Sequence, residues 1–327
     1  MLRRQVLGAA ALTFGVLPAL TRTARAQAGP SYPDRPVRLV VPFPPGGSTD
    51  LQGRLLGQIL GTRFGQPVVI ENFAGAGGTI GAARVAQSAA DGYTLLAGTS
   101  APITVNPHLL PNLPYDPLRA FAPVARVGDS SLVAVVASGS PFRTLGELLA
   151  RARAQPETVT YASSGIGSFS HLGGALLEAR AGVKMTHVSY RGGGPAISDV
   201  LAGRVDAMLE NYSTLQSYIS AGQLRSIAVG AVRRLAQLPD TPTMAELGIP
   251  DYSLTAWFGL FAPAGTAEAI IQTLHAAVTE GLRQPTVAAQ LAEWGVDSAD
   301  ESSDRFADFV REQYQAMGTL LANAGIK

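Results

Sequence analysis

Cysteine is absent from this 327-residue chain, which excludes disulfides and thiolate metal sites and suits an oxidising compartment where a stray thiol is a liability. Histidine is scarce as well: the four histidines show no HExxH or comparable ligand spacing, so the reading contains no metal. Charge is sparse, at 15% of residues, against 46% hydrophobic. No Gly-Lys-Ser/Thr ending follows any glycine loop, so no P-loop lysine awaits a nucleotide phosphate. No Gly-x-Ser-x-Gly elbow appears anywhere, which removes one common route to a serine nucleophile. The apolar stretch Val6 to Leu20 is short and broken by Thr13, Gly15 and Pro18, and no later run is apolar for long enough to span a membrane.

That first stretch has another use. Residues 1–26 read as a signal peptide: a charged start, an apolar run and the small-residue site Ala24-Arg25-Ala26, leaving Gln27 first after cleavage. Arg3-Arg4 before Gln5-Val6-Leu7 is a partial twin-arginine pattern, and an ordinary secretory signal fits nearly as well. Its removal takes away four arginines and no acid, so the net charge passes from +1 to −3. A soluble, mildly acidic protein of the bacterial periplasm follows, with no nucleic-acid partner and no insertion into a membrane.

What is present is an alternation. The runs VRLVVPF, PVVIEN, TLLAGT, LVAVVAS, TVTYASS, THVSY, AMLEN, RSIAVGA and FGLFAP read as strands. Helical periodicity fills 50–64, 78–89, 144–154, 169–181, 194–203 and 213–221, and a helical block runs from Thr266 to Gly325 with breaks near Pro285 and from Gly295 to Ser303. This predicts an α/β fold with largely parallel sheets. Without a low-complexity linker, two lobes interleaved by strand crossings are expected, at Phe121 to Gly128 and Tyr252 to Ala262. Trp257 falls in the second crossing and Trp294 in the C-terminal helical block.

Four loops at strand ends carry the functional signal, because ligands of open α/β sheets bind where a strand hands over to a helix. The first is Phe43-Pro44-Pro45-Gly46-Gly47-Ser48-Thr49-Asp50, in which glycine permits close backbone approach and Thr49 with Gln52 fits a capping box. Amides of Gly46, Gly47 and Ser48 are its candidate anion holders, and a plain strand-to-helix turn would use the same residues. The second, Asn72 to Gly81, starts like a dinucleotide fingerprint but has Ile80 at the third-glycine position. A tight helix start or an anion-facing loop fits it better. The third, Tyr161 to Leu172, offers Ser163, Ser164, Gly167 and Ser168 as a hydroxyl and amide cradle, with His171 read as packing or capping rather than as a base. The fourth, Tyr190-Arg191-Gly192-Gly193-Gly194-Pro195, brings one arginine whose fork suits a carboxylate, although an exposed loop arginine is the commoner outcome.

With these loops in order, the chain resembles the solute-binding proteins of the tripartite tricarboxylate transporters, the Bug receptor family. The resemblance runs over essentially the whole mature chain, from YPDRPVRLVVPFPPGGSTD through ENFAGAGGTIGA, ADGYTLL, NLPYDPLRAFAPVA, YASSGIGSFSHL and YRGGGPAISDVLAGRVD to RRLAQLPDTPTMAELGIPDY and WFGLFAPAGT. It implies a two-lobed periplasmic binding protein of the type II, Venus-flytrap kind. Lobe 1 would comprise 27–128 plus 251–327 and lobe 2 would comprise 129–250, with the ligand cleft between them. It also implies a small carboxylate held by backbone amides and ordered water, no cofactor, no catalytic residue, a monomer, and a membrane transporter or sensor as partner. The candidate ligand-binding residues are Pro44, Gly46, Gly47, Ser48, Thr49, Asp50, Asn72, Thr99, Ser100, Ser163, Ser164, Gly167, Ser168, His171, Tyr190, Arg191, Glu210 and Asn211. The chain departs from the family at His187-Val188-Ser189-Tyr190-Arg191, where proline often precedes the tyrosine and lysine follows it. It departs again at Glu210, where aspartate is more usual. An exported α/β enzyme acting on a small carboxylate is the alternative reading.

Overall fold

The computed structural model describes residues 32–326, and the signal-peptide reading of residues 1–26 lies outside them. The account below concerns the unit Pro33–Lys327. Its first half is laid down by β1 (Val37–Val41), α1 (Ser48–Phe64), β2 (Val68–Asn72), α2 (Thr79–Ala86) and β3 (Thr94–Thr99). A π-helical turn at Ala101–Val105 and the short α3 (Asn106–Leu109) follow, then the long β4 (Phe121–Ala137). The second half comprises α4 (Leu145–Ala154), β5 (Thr160–Ser163), α5 (Phe169–Ala181), β6 (Thr186–Ser189), α6 (Gly193–Leu201), β7 (Ala207–Asn211), α7 (Tyr212–Ser220) and β8 (Leu224–Val229). The chain then returns through β9 (Thr255–Pro263), α8 (Glu268–Leu282), α9 (Pro285–Glu293), β10 (Val296–Ser298) and α10 (Ser303–Ala324).

Local chemistry accounts for many boundaries. Thr144 and Glu147 form a reciprocal capping box at the start of α4, and Ser168 and Ser302 accept amides at the starts of α5 and α10. Pro285 opens α9, where its missing amide costs nothing. Gly65 and Gly182 end α1 and α5 in the left-handed region, at φ 65° and φ 62°.

The strands form one sheet in the order β2-β1-β3-β9-β4-β7-β5-β6, with β8 and β10 also pairing to β4. Two parallel stretches, β2-β1-β3 and β7-β5-β6, flank an antiparallel centre made by β4 and β9. The sheet is therefore mixed, where the alternation of elements predicts a largely parallel one. The reason is β4. Its Phe121–Ser131 stretch pairs with β9, whereas Leu132–Val136 pairs with β7 and Val133–Ala137 with β8, so one strand serves both halves. LVAVVAS is only its second part.

The return path differs from the expected crossing at Tyr252 to Ala262. β9 pairs with β3 and β4 in the first half along its whole length, and the change of half lies just before it, where Leu254 N donates to Gly230 O and Gly230 N to Leu132 O, both at 2.8 Å. Trp257 accordingly sits in the first-half core at 1% exposure, edge-on to Phe306 with ring centroids 5.9 Å apart. That core gathers Val40, Leu96, Trp257, Phe261 and Phe306, while a separate one in the second half gathers Val133, Ile197, Met208 and Leu215. Each half thus buries its own apolar faces, and β4 continues between them.

Candidate functional site

Parallel strands deliver the starts of their following helices to the same side of a sheet. Here β1, β5 and β6 each end in a loop that opens a helix, β7 runs directly into α7, and the four helix starts converge on one cavity of about 40 Å³. Gly47, Ser48 and Thr49 represent α1, Ser168 to Ser170 represent α5, Gly192 and Gly193 represent α6, and Asn211 with Thr214 represent α7. Phe43, Pro44, Thr99, Ala101, Ser164 and Glu210 complete the wall. First-turn amides have no carbonyl one turn back, and each helix start carries roughly half a positive charge. Four of them facing one cavity make a place for an anion, and no lysine, arginine or histidine lines it among the described residues.

The two halves touch at this cavity. Ser48 N donates to Thr214 Oγ1 at 2.9 Å, and Asn211 Nδ2 donates to Ser48 Oγ at 3.1 Å. Gly192 stands at φ +111°, and a Cβ there would lie 2.9 Å from Pro44 Cγ. Gly77 repeats the pattern at φ +60°, where a Cβ would lie 2.5 Å from Gly167 O. Gly192 thus lets the Pro44 ring, and Gly77 the Gly167 backbone, of the opposite half approach where a Cβ would collide.

Asp50 and Asn72 have a different task from the one their residue types suggest. Asp50 is 2% exposed; its Oδ2 accepts from Gly46 N at 3.0 Å and Arg54 Nε at 2.9 Å, and its Oδ1 accepts from Asn72 Nδ2 at 2.9 Å. Asn72 Nδ2 also donates to Phe43 O. Burial pushes the Asp50 carboxyl up, but Arg54, Gly46 and Asn72 together outweigh it and hold it below the usual carboxylate range. Asp50 and Asn72 hold the turn from behind. The Gly46 amide is engaged by Asp50 and the Ser48 amide by Thr214, which leaves Gly47 and Thr49 as the amides of this turn with no hydrogen-bond partner among the described residues. The expected Thr49–Gln52 capping box does not form: α1 begins at Ser48 with Gly47 as its cap and no side-chain bond.

In the third loop, Ser164 faces the cavity and donates to Glu210 Oε2, and Ser168 caps α5 by accepting from His171 N at 3.1 Å. Ser163 lies beneath, fully buried, with Oγ 2.7 Å from His187 Nε2 and accepting from Gly165 N at 3.2 Å. His187 stacks between Tyr161 and His171, with centroids 5.0 Å and 4.2 Å away. Burial and then the neighbouring His171 push His187 down to about 4, and burial holds His171 below its ordinary value as well. Ser163 is hidden under the loop with His187 half-buried beside it, and neither residue lines the cavity.

Tyr190 and Arg191 line an adjoining cavity of about 430 Å³, which shares Phe43, Pro44, Ser164 and Gly192 with the first. The Tyr190 hydroxyl turns away, to Asp199 Oδ2 at 2.6 Å. Arg191 is exposed. Ser100 is buried beside Thr99, and Gly167 packs on Asn106, behind the cavity wall. Of the sequence-predicted residues the structure thus brings Pro44, Gly47, Ser48, Thr49, Thr99, Ser164, Ser168, Glu210 and Asn211 to the cavity, and places Gly46, Asp50, Asn72, Ser100, Ser163, Gly167, His171, Tyr190 and Arg191 outside it. Phe43, Ala101, Phe169, Ser170, Gly192, Gly193 and Thr214 line it without having been singled out as ligand-binding. For Gly192 and Gly193 the signal existed, in the glycine run before Pro195.

Glu210 is the ionisable group of the cavity wall among the described residues, at 4% exposure. Burial pushes its carboxyl above the usual range, against donors from Ser164, Asn211 N at 2.8 Å and Asn211 Nδ2 at 3.2 Å.

This architecture recurs in known proteins. BugT of Bordetella pertussis is 38% identical over 315 residues, 96% of this chain and 97% of its own. A protein of Rhodopseudomonas palustris whose structure has bound malate is 33% identical, with a TM-score of 0.85 over 89% of this chain and 100% of its own. Another from R. palustris, solved with adipate, is 33% identical with a TM-score of 0.86 over 90% and 98%. The periplasmic binding protein BugD is 32% identical with a TM-score of 0.85 over 90% and 99%, so the α/β fold is that of the periplasmic binding proteins. Residues 53–326 match the profile of the tripartite tricarboxylate transporter family receptor, and the chain belongs to that family.

Proposed function

We propose that this protein is a periplasmic receptor that captures a small mono-, di- or tricarboxylate and delivers it to the membrane components of a tripartite tricarboxylate-type transporter or to a sensor. One observation carries the reading: four helix starts from both halves of the sheet face one cavity whose wall has no cationic side chain. A carboxylate can be held there by amides and hydroxyls, and the half-charges of the helix starts supply the electrostatic attraction. The ligand-binding set is Pro44, Gly47, Ser48, Thr49, Thr99, Ser164, Ser168, Glu210 and Asn211, joined by Ser170, Gly193 and Thr214. Of the described residues, 32–128 with 251–326, and 129–250, act as lobes that close on the ligand, with the flex near those bounds, at Ser131–Leu132 in β4 and at Leu254–Thr255 on the return. Malate and adipate in the two R. palustris structures support the ligand class.

The rival reading, an enzyme, would draw on Ser163 and His187, which stand at 2.7 Å. A serine with no exposure and an imidazole pushed down to about 4 make a poor nucleophile and base for a ligand in the cavity. A thermal-shift screen decides the class. Small carboxylates should raise Tm with a logarithmic dependence on concentration, and nucleotides should leave it unchanged. Stabilisation by nucleotides alone, or turnover of a carboxylate abolished by Ser163→Ala, would end the receptor reading.

A further inference from the structure

Glu210 sets a condition on any anion that enters the cavity. Its side chain is enclosed and has no counter-ion in the cavity wall among the described residues: β4 pairs with it through Val133, α6 brings up Gly193, on which a Cβ would lie 3.8 Å from Oε2, and α7 offers Thr214. Oε1 accepts from Asn211 N and Nδ2, and Oε2 takes the Ser164 hydroxyl. On the adjoining loop and on β6, the titratable groups His171 and His187 stack on each other behind Ser163, and burial keeps both weakly basic. Asp50 and Arg54 are paired to each other in the opening turn.

A ligand carboxylate would be a second negative charge beside Glu210. At a separation of about 5 Å and an effective dielectric of about 20, repulsion between two ionised carboxylates weakens binding by on the order of a hundredfold. Ser164 sharpens the conflict, because a hydroxyl has a single proton to donate. With Glu210 ionised, that proton points at Oε2 and Ser164 turns lone pairs toward the ligand. Acceptor then faces acceptor. With a proton on Oε2 the bond reverses: Glu210 donates to Ser164 Oγ, and Ser164 is free to donate to the ligand.

We propose that Glu210 is protonated whenever a carboxylate is bound and acts on it through Ser164, so that ligand capture and protonation of Glu210 are one coupled event. The proton comes from solvent, and no covalent bond to the ligand forms or breaks. Burial without a cation favours the neutral acid, which is the direction the coupling needs. The inference rests on the carboxylate-receptor reading and adds to it a pH dependence and two residues with defined roles.

The test is calorimetric titration of the full chain with malate and with adipate from about pH 5.5 to about pH 8.5, in buffers of different ionisation enthalpy. Wild-type affinity should fall about tenfold per pH unit above the point where free Glu210 ionises, with proton uptake seen as buffer-dependent heat. Glu210→Gln presents an amide that donates to Ser164 as the protonated acid does, so it should bind with no pH slope and no proton uptake. Infrared difference spectra should show a protonated carboxyl band in the wild-type complex that Glu210→Gln lacks. Should Glu210→Gln not fold, Ser164→Ala provides the second arm: it should weaken binding at low pH, where Ser164 donates to the ligand, and keep the pH slope and proton uptake, because the repulsion between the two carboxylates remains; loss of the slope in this variant would overturn the proposal. A flat wild-type profile, or a folded Glu210→Gln that binds more than tenfold worse at every pH, overturns the proposal while leaving the carboxylate reading intact. Failure of both acids and of every carboxylate in the thermal-shift screen overturns both.

Discussion

Ser48, at the start of α1, accepts a hydrogen bond from Asn211 Nδ2 at 3.1 Å although 163 residues separate them. The bond joins the end of β7 in one half of the sheet to the turn after β1 in the other, and Ser48 N adds a second link to Thr214 Oγ1. Contact between the halves is therefore made by the same residues that form the cavity wall.

Thr214→Val keeps the shape of the side chain and removes the acceptor for Ser48 N. Loss of one such bond costs about 0.5–1.5 kcal/mol. Ligand affinity should drop about three- to tenfold, with little change in Tm without ligand, because the Ser48 amide can turn to water when the halves part. Calorimetry together with thermal melts checks both parts.

Gly192→Ala should obstruct closure. The new methyl would stand 2.9 Å from Pro44 Cγ, and the backbone there holds φ +111°. A non-glycine residue in such a conformation costs about 1–3 kcal/mol. X-ray scattering should show wild type compacting when a carboxylate is added and the variant failing to do so.

Asp50 contributes to stability at neutral pH and not in acid. Its folded-state carboxyl is held below the unfolded value by Arg54, Gly46 and Asn72 in spite of burial. The stabilisation is thus fully present above the unfolded value of about 3.9 and is lost as pH falls through the lower folded one. Asp50→Asn should lower stability by about 1–3 kcal/mol at neutral pH and flatten this part of the acid limb. Denaturant melts at a series of pH values read out the difference.

His187 gives a second acid signature. Its folded value of about 4 lies below the unfolded one of about 6.5. Its contribution is complete above about 6.5 and is lost as pH falls toward about 4. Imidazole resonances of His187 should titrate with a midpoint near 4, and His187→Gln should remove that transition.

Much of this was legible in the chain. The strand and helix alternation, and glycine loops at the ends of β1, β5 and β6, follow from periodicity and from where glycine and proline stand. Residue type misled where two roles share one chemistry: Asp50 and Asn72 read as ligand-facing polar groups, and tertiary contacts turn them inward to brace the turn. β4 was hidden because Gly128, Asp129, Ser130 and Ser131 interrupt its apolar pattern, yet Ser130 is fully buried and the ladder absorbs Gly128 as an irregularity. Thr214 had no local signal at all. It sits inside the first turn of α7 and matters only because α1 of the other half comes to meet it.

The central claim is that a carboxylate rests on backbone at the start of α1 and its three companion helices. Gly47→Val tests it most directly, since Gly47 holds an ordinary extended φ of −87° and a Cβ there meets nothing within 4 Å. The variant should fold as the wild type does. In calorimetric titration with the carboxylate that most raises wild-type Tm, it should lose about a hundredfold in affinity, the worth of one or two hydrogen bonds to a charged group. A folded Gly47→Val protein that binds this acid as tightly as wild type would contradict the account.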